Sequence, residues 1–294
     1  MSECEVCRRA ASYPIKVHYK DEVHQFCCLD CLVSHYQPRG ERERSTDVVK
    51  HQRVNVISEI EEERGTKLIA MIHRQEGKEG KRRYITIEDS EEILREIRLT
   101  NINESIDFVV HCPGGLILPA EQIAMAVRDH SSKVTVIVPH YAMSGGTLIA
   151  LAADEILMDA HSVLGPLDPQ IQGIPAPSLI KVLETKPIEY ISDNVLIAAD
   201  VAAKALNQMR LFIERLLKDK MDGSRARMVA EFLTGGYLTH DTPITAEAAQ
   251  ALGLPVKLGI PERIYELLRL YDFGKPIRPS LFQIPCPCLS KQEQ

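Results

Sequence analysis

Beyond about residue 56 the chain alternates between short apolar runs and longer stretches with helical spacing of apolar residues. Three of the runs have the length and β-branched content of buried strands: KLIAMIH (67–73), IDFVVH (106–111) and KVTVIVP (133–139). Helical patterns separate them. Strand, crossover helix and strand in this order predict a largely parallel sheet covered by helices, which is an α/β fold.

Helices are predicted between and after these strands. The first is capped by Asp89 or Ser90 and ends near Arg98, and the second carries Pro119 in its first turn. A short helix of small and apolar residues follows from Ser144. A long helix covers 193–218, with apolar residues at helical spacing: Ala199, Ala202, Leu206, Met209, Ile213 and Leu216. Its first half, VLIAADVAAKAL, is apolar nearly all round, which predicts a helix sandwiched between other elements.

The cysteines divide the chain unevenly. Five of the eight cysteines lie in the first 31 residues, and the polar run that follows, 37–53, has no apolar periodicity. We predict an N-terminal module over 1–36, a linker over 37–55, the main domain over 56–278 and a tail over 279–294.

Composition narrows the class of function. The chain has 45% hydrophobic and 26% charged residues, which is typical of a globular protein. A net charge of −6, with no tryptophan, gives no reason to expect a nucleic-acid partner. No apolar run reaches the roughly 18–20 residues that cross a bilayer, and the N-terminus lacks a signal pattern. We expect a cytoplasmic protein that does not insert into membranes.

The N-terminal cysteines have metal-ligand spacing. Cys4-x2-Cys7 and Cys27-x3-Cys31 form two short knuckles, and thiols stay reduced in the cytoplasm. Four thiolates suit tetrahedral Zn²⁺, which would hold together a module too small to fold on its core alone. The pattern resembles the TRASH/YHS zinc modules. We predict a structural zinc site and a docking role for this module; three nearby residues are alternative ligands: His24, Cys28 and His35.

Two glycine-rich turns follow successive strands, HCPGGLI (111–117) and HYAMSGGTLIA (140–150). In a parallel sheet both turns lie at the carboxyl edge, where ligands bind. Ser144 begins a helix, where free amides favour a developing negative charge. Such a serine suits acyl transfer, with Gly115 and Gly145 as candidate oxyanion donors. The alternative is that Ser144 only caps its helix.

The segments FVVHCPGGLILPAEQIA and VPHYAMSGGTLIALAADEILMDAHSVLGPLDPQI resemble the core of the Clp-protease/crotonase superfamily. They most resemble the serine dehydrogenase proteinase family, close to signal peptide peptidase A, and the resemblance extends over 56–275. It implies a ββα superhelix, a peptide or protein substrate and a homo-oligomer. It also implies that Ser144 is the nucleophile and that Gly115 and Gly145 supply the oxyanion amides.

A serine nucleophile needs a base, and the resemblance offers lysines. A Clp-type Ser-His-Asp triad is not expected, because His161 comes several residues too early for that pattern. Lys204 matches the helical lysine of archaeal relatives, and Lys186 matches the loop lysine of signal peptide peptidase A. We favour Lys204, since burial among alanine and valine would lower its pKa toward neutrality.

Other interpretations of these residues stay open. Lys204 could instead form a surface pair with Asp200, four residues earlier, and His111 and His240 are further candidate bases. The leading hypothesis is a serine peptidase with a Ser-Lys dyad. The alternatives are a crotonase-like acyl-CoA enzyme using Asp168 or Glu121, and a non-catalytic scaffold with a zinc module. No dinucleotide fingerprint is present.

Overall fold

The computed structural model describes residues 2–3, 10–11, 15–19, 22–26, 42–73 and 84–271. The chain forms two compact units. One combines the residues up to Gly65 with the segment from Pro261, and the other holds the described residues between Thr66 and Ile260. The division between these units lies at 65/66 and 260/261. The predicted boundaries of the module, linker, main domain and tail stay predictions.

The elements are numbered here in chain order. The strands are β1 (Ser2–Glu3), β2 (Ala10–Ala11), β3 (Ile15–Tyr19), β4 (Glu22–Phe26), β5 (Lys67–Ile72), β6 (Ile106–His111), β7 (Val134–Val138), β8 (Tyr141–Ala142), β9 (Glu155–Met158), β10 (Val163–Leu164), β11 (Gln170–Ile171), β12 (Ile174–Pro175), β13 (Ile244–Thr245) and β14 (Val256–Leu258). The helices are α1 (Arg42–Arg64), α2 (Ile87–Leu99), α3 (Ile117–Asp129), α4 (Gly145–Ala152), α5 (Ala176–Thr185), α6 (Asp193–Leu217), α7 (Gly223–Thr234), α8 (Ala246–Ala251) and α9 (Glu262–Arg269), with a 3₁₀ turn at Ile188–Tyr190.

The larger unit is built on a five-stranded sheet with the order β14-β9-β7-β6-β5. Every neighbouring pair in it is parallel. The side chains of β6 and β7 are buried on both faces, which explains why these strands appear as unbroken apolar runs in the sequence. The predicted α/β fold with a parallel sheet is confirmed. A smaller sheet of order β13-β10-β8 lies in the same unit.

The long helix α6 buries the stripe of apolar residues that its spacing predicts, from Ala199 to Leu216. The expectation that its first half is sandwiched was wrong. Ile197 is 63% exposed and Val201 is 44% exposed. Only one face of the helix packs against the described chain, although apolar residues occur all round it.

Helix α1 begins at Arg42, within the stretch predicted as a linker over 37–55, where the sequence pattern did not predict a helix. It has almost no amphipathic pattern, and contacts distant in sequence hold it. Arg53 donates to the main-chain oxygen of Leu270 at 2.8 Å and 3.0 Å. Arg263 of α9 pairs with Glu59 and Glu63 of α1. None of the described helices is both long enough and apolar enough to cross a membrane.

Candidate active site

Ser144 stands at a strained turn between β8 and α4. Its backbone has φ 48° and ψ −117°, a conformation that residues with a side chain rarely adopt. The Ser144 side chain makes no capping hydrogen bond to the helix. The interpretation of Ser144 as a simple helix cap is therefore wrong. Strain of this kind persists only where the surroundings enforce it, and it is common at active sites.

The two glycine turns meet at this serine. Gly114 has φ 104°, and a Cβ built on it would lie 2.7 Å from the Ser144 Cβ and 3.2 Å from the Gly145 nitrogen. Only glycine allows so close an approach. On its other side the first turn is held by Ile85, whose N–H donates to the Gly114 oxygen at 2.8 Å and whose oxygen accepts from Leu116 at 3.0 Å.

The N–H groups of Gly115 and Gly145 take part in none of the main-chain hydrogen bonds found in the described turns. A Cβ built on Gly145 would lie 3.6 Å from the Gly115 nitrogen, so the two amides are near one another. Gly145 is also the first residue of α4, where the helix dipole places partial positive charge. These two amides have the character of an oxyanion hole.

Thr147 ties α4 to the next part of the site. Its hydroxyl donates to the Ala142 oxygen at 2.7 Å and accepts from the Gly165 N–H at 2.8 Å. The segment beginning at Gly165 leads to Asp168, and it is fixed further by the Leu167 N–H, which donates to the Leu233 oxygen at 2.7 Å. Ser144 and Asp168 are thus held on one connected framework.

A cavity of about 400 Å³ opens at this framework. It is lined by Pro113, Gly115, Leu116, Ile117, Ala120, Ser144, Gly145, Leu148, Leu167, Asp168, Pro169, Gln170, Met209 and His240. Most of these side chains are apolar, and the ionisable ones are Asp168 and His240. Ser144, Gly115 and Gly145, singled out from the sequence, therefore share one cavity with a histidine and a carboxylate.

Asp168 and His240 form a hydrogen-bonded pair. The His240 Nδ1 lies 2.8 Å from the Asp168 Oδ1, and the Asp168 side chain is only 2% exposed. The second carboxylate oxygen accepts from the Gln170 amide at 2.7 Å. An ionised carboxylate can only accept, so the proton lies on Nδ1. In neutral His240 this leaves Nε2 as an acceptor.

The hydrogen bond that His240 donates to Asp168 raises the pKa of the histidine above its usual 6.5, and this effect outweighs the opposing effect of burial. A histidine held in one tautomer by a buried carboxylate, in a cavity that also contains a serine, has the character of a general base.

The lysines predicted as the base lie elsewhere. Lys204 is on the surface of α6, where its side chain is 68% exposed and its Nζ lies 2.5 Å from the Asp200 Oδ2. This is the surface pair that the i,i+4 spacing offered as the alternative. Lys186 is exposed just after α5. Neither lysine lines the cavity.

The other histidines weighed from the sequence also lie outside the cavity. His161 is exposed on the turn after β9. His111 is buried and packs against the Tyr141 ring, with 4.3 Å between the ring centroids.

Lys220 has a strongly lowered pKa of about 8, because burial disfavours its charged form. A lysine with so low a pKa is partly neutral near physiological pH, as a general base must be. Its Nζ instead donates to the main-chain oxygens of Leu151 at 2.5 Å and Ala153 at 2.6 Å. Leu151 lies about 10 Å from Ser144 along the helix, at a rise of about 1.5 Å per residue. Lys220 is therefore at the wrong end of α4 to take the serine proton.

The residues proposed for a crotonase-like enzyme are not both in the cavity. Glu121 is half-buried on α3 and does not line it, and Asp168 is engaged by His240 and Gln170. Cys112 is fully buried, and burial raises the pKa of its thiol to about 12. Cys112 is part of the buried core.

The predicted zinc ligands lie outside the described residues: Cys4, Cys7, Cys27 and Cys31. The tail cysteines, Cys286 and Cys288, do as well. Within the part of the chain that the structure describes, no group of three or more metal-ligating side chains comes together. The structural zinc stays a prediction.

From the sequence, Asp168 is expected only in the crotonase-like alternative, and His240 is one of several further candidate bases. Gln170 is not predicted. The aspartate and histidine are 72 residues apart and lie in irregular segments after β10 and α7. Neither segment has a periodicity from which a side-chain pairing could be inferred. The available signal was two short polar clusters, LDPQ (167–170) and THD (239–241), each beside apolar sequence.

An α/β fold with a serine at a strained turn beside paired glycine amides defines the class of ClpP-like serine hydrolases. The model of the ClpP-like SDH-type serine proteinase family matches residues 41–294. The chain therefore belongs to that family.

Two relatives are similar in sequence over most of their length. The uncharacterized protein MJ1495 of Methanocaldococcus jannaschii is 49% identical over 83% of this chain and 84% of its own length. A second uncharacterized protein of that organism, MJ0137, is 50% identical over 77% of this chain and 80% of its own length.

Two solved structures are also similar. A mutant of the 1510-N membrane-bound stomatin-specific protease has 20% identity and a TM-score of 0.45, covering 69% of this chain and 82% of its own. ClpP1 from Listeria monocytogenes has 11% identity and a TM-score of 0.44, covering 66% of this chain and 92% of its own.

Proposed function

We propose that this protein hydrolyses peptide bonds with Ser144 as nucleophile, His240 as general base and Asp168 as the residue that orients the histidine. The observation that carries the proposal is the 2.8 Å hydrogen bond between Asp168 and His240 in the cavity that contains Ser144. This replaces the Ser144–Lys204 dyad expected from the resemblance, because Lys204 is exposed and paired with Asp200.

Each residue has a distinct part in the reaction. The Ser144 oxygen attacks the peptide carbonyl carbon while the His240 Nε2 takes the hydroxyl proton. The N–H groups of Gly115 and Gly145 hold the carbonyl oxygen as it becomes negative. His240 then returns the proton to the leaving amine, which leaves an acyl group on Ser144. Water, deprotonated by the same histidine, releases the acid product.

The surroundings support a peptide substrate. Apart from the Asp168–His240 pair, the cavity walls are apolar or uncharged, so they suit an apolar side chain next to the scissile bond. The Asp168 carboxylate is oriented from both sides, by His240 and by Gln170. Such orientation keeps the histidine in the tautomer that can accept a proton.

Labelling with a fluorophosphonate probe tests the nucleophile. We expect the wild-type protein to form a covalent adduct that peptide mass spectrometry locates on Ser144, because the probe needs an activated serine and an oxyanion hole. Ser144→Ala is the control for non-specific reaction. An adduct on another serine, or equal labelling of both proteins, would contradict the proposal.

The pH dependence of labelling tests the base. His240 accepts a proton only when neutral, so the labelling rate should rise with pH through a midpoint above 6.5, in line with the raised pKa. Asp168→Asn removes the charge that holds the proton, and its midpoint should lie below that of the wild type. A midpoint that Asp168→Asn leaves in place would show that this pair does not control the reaction.

Stability should respond to pH in the opposite sense to labelling. Because the pKa of His240 is raised in the folded state, the pair adds stability most fully below the unfolded pKa of about 6.5. That contribution is lost as the pH rises through the folded pKa. His240 is thus expected to be available as a base at the pH values where this pair stabilises the protein least.

Two further properties stay predictions: the homo-oligomer and the structural zinc of the N-terminal cysteines. Light scattering after size exclusion measures the first, and zinc analysis of the purified full chain measures the second.

A further inference from the structure

The helix that presents Ser144 is short, and the Lys220 side chain binds main-chain oxygens at its far end. Helix α4 has eight residues, all buried. Helices of this length are not stable by themselves, and their last carbonyls need partners. The Lys220 Nζ supplies partners to two of these oxygens, on Leu151 and Ala153, at 2.5 Å and 2.6 Å.

Lys220 reaches this position from the segment between α6 and α7. It bonds to residues 67 and 69 positions earlier in the chain, so it links two parts of the fold that are distant in sequence. Its charged neighbours act in both directions: Asp154 and Asp219 favour the ammonium, and Arg128 of α3 opposes it. Arg128 is in turn bound to Asp219 at 2.8 Å.

A cation at the carboxyl end of a helix also complements the helix dipole. At the other end of α4 the same dipole supports the Gly145 amide. A shift or rotation of α4 would move Ser144 and Gly145 together, relative to Gly115 in the neighbouring turn. The catalytic geometry therefore depends on how firmly the far end of the helix is held.

We propose that Lys220 is a positioning residue for Ser144: its bonds to the Leu151 and Ala153 oxygens fix α4, so that Ser144 and Gly145 face Gly115 correctly. This inference rests on the proposed role of Ser144 as nucleophile, but it does not depend on which residue is the base.

Two variants separate positioning from general stability. Lys220→Met keeps an apolar stem but removes the donors, and Lys220→Arg keeps a cation that can bind helix carbonyls. The measurement is the fluorophosphonate labelling rate of Ser144 at neutral pH, at a temperature where thermal unfolding shows each protein to be fully folded. The maximal rate and the half-saturating probe concentration are measured separately.

We expect Lys220→Met to lower the maximal labelling rate about tenfold, since small displacements of reacting groups have large kinetic effects. The half-saturating probe concentration of Lys220→Met should not change. The maximal labelling rate of Lys220→Arg should stay within about twofold of the wild-type rate, because arginine can also donate to the helix carbonyls. A folded Lys220→Met protein that labels at the wild-type rate would overturn the proposal.

The pH profile provides a second test, which needs only the arginine variant. The wild-type rate should fall as pH rises through about 8, where Lys220 loses its charge. The neutral amine binds the two oxygens more weakly than the ammonium and no longer complements the helix dipole. Arginine stays charged there, so Lys220→Arg should show no such fall. If Lys220→Met does not fold and Lys220→Arg keeps the wild-type fall, the proposal is wrong. Wild-type protein that is not labelled at all would refute the proposed nucleophile, and this inference with it.

Discussion

His240→Gln is expected to slow fluorophosphonate labelling of Ser144 about a thousandfold, which is the range that general-base catalysis contributes. Glutamine can keep a hydrogen bond to Asp168, but its amide cannot take a proton from the serine. The cavity should therefore keep its shape while losing the base. The rate is measured against Ser144→Ala, which defines the background.

Lys204→Met is the matched control for this experiment. Lys204 is 68% exposed and bound to Asp200, so its loss removes only a surface ion pair. Such pairs contribute at most about 1 kcal/mol to stability. We expect Lys204→Met and Lys186→Met to label within about twofold of the wild type, because general-base catalysis does not involve them.

The opposite pattern would identify a different mechanism. If Lys204→Met were inactive and His240→Gln were not, the Ser-Lys dyad implied by the resemblance would be correct. Thermal unfolding of each variant shows whether a lost signal reflects chemistry or a failure to fold.

Site residues that directly follow buried strands can be located from the sequence pattern. Ser144, Gly115 and Gly145 could be found because each lies in a glycine turn directly after a buried strand. Because parallel strands have their carboxyl ends at the same edge of the sheet, the two turns lie close together. Their position in one cavity follows from backbone topology alone, and their roles stay predictions.

The Asp168–His240 pair could not be found in this way. Its members lie in irregular segments whose positions depend on tertiary contacts, such as the bond from Leu167 to Leu233 and the bridge through Thr147. The resemblance to lysine-dependent relatives also directed attention to lysines, neither of which lines the cavity. His240 is followed directly by Asp241 in the THD segment. Nothing in that segment indicates that the histidine binds Asp168, 72 residues earlier in the chain.

Helix α1 was not predicted from the sequence, for a related reason. Helices are recognised by an apolar stripe, but α1 is mostly polar and buries few residues, among them Val56 and Ile60. Charged and polar side chains hold it to the C-terminal segment. Contacts of this type leave no periodic signal in the chain.

Gly114→Ala is expected to lower the labelling rate about a hundredfold or more, because it forces apart the two turns that carry the proposed oxyanion amides. The new methyl group would lie 2.7 Å from the Ser144 Cβ and 2.9 Å from the Met143 oxygen. Neither neighbour is the flexible end of a long side chain, so the backbone must move. That movement separates the amides of Gly115 and Gly145.

Gly259→Ala controls for the strain that any alanine would bring. Gly259 has φ 115°, close to the 104° of Gly114, but a Cβ built there has nothing within 4 Å. Both variants should lose about 1–3 kcal/mol of stability from the unfavourable backbone conformation, as thermal unfolding can show. Only Gly114→Ala should also lose labelling. If folded Gly114→Ala reacted as fast as Gly259→Ala, the close contact of the two turns would not be what activates Ser144.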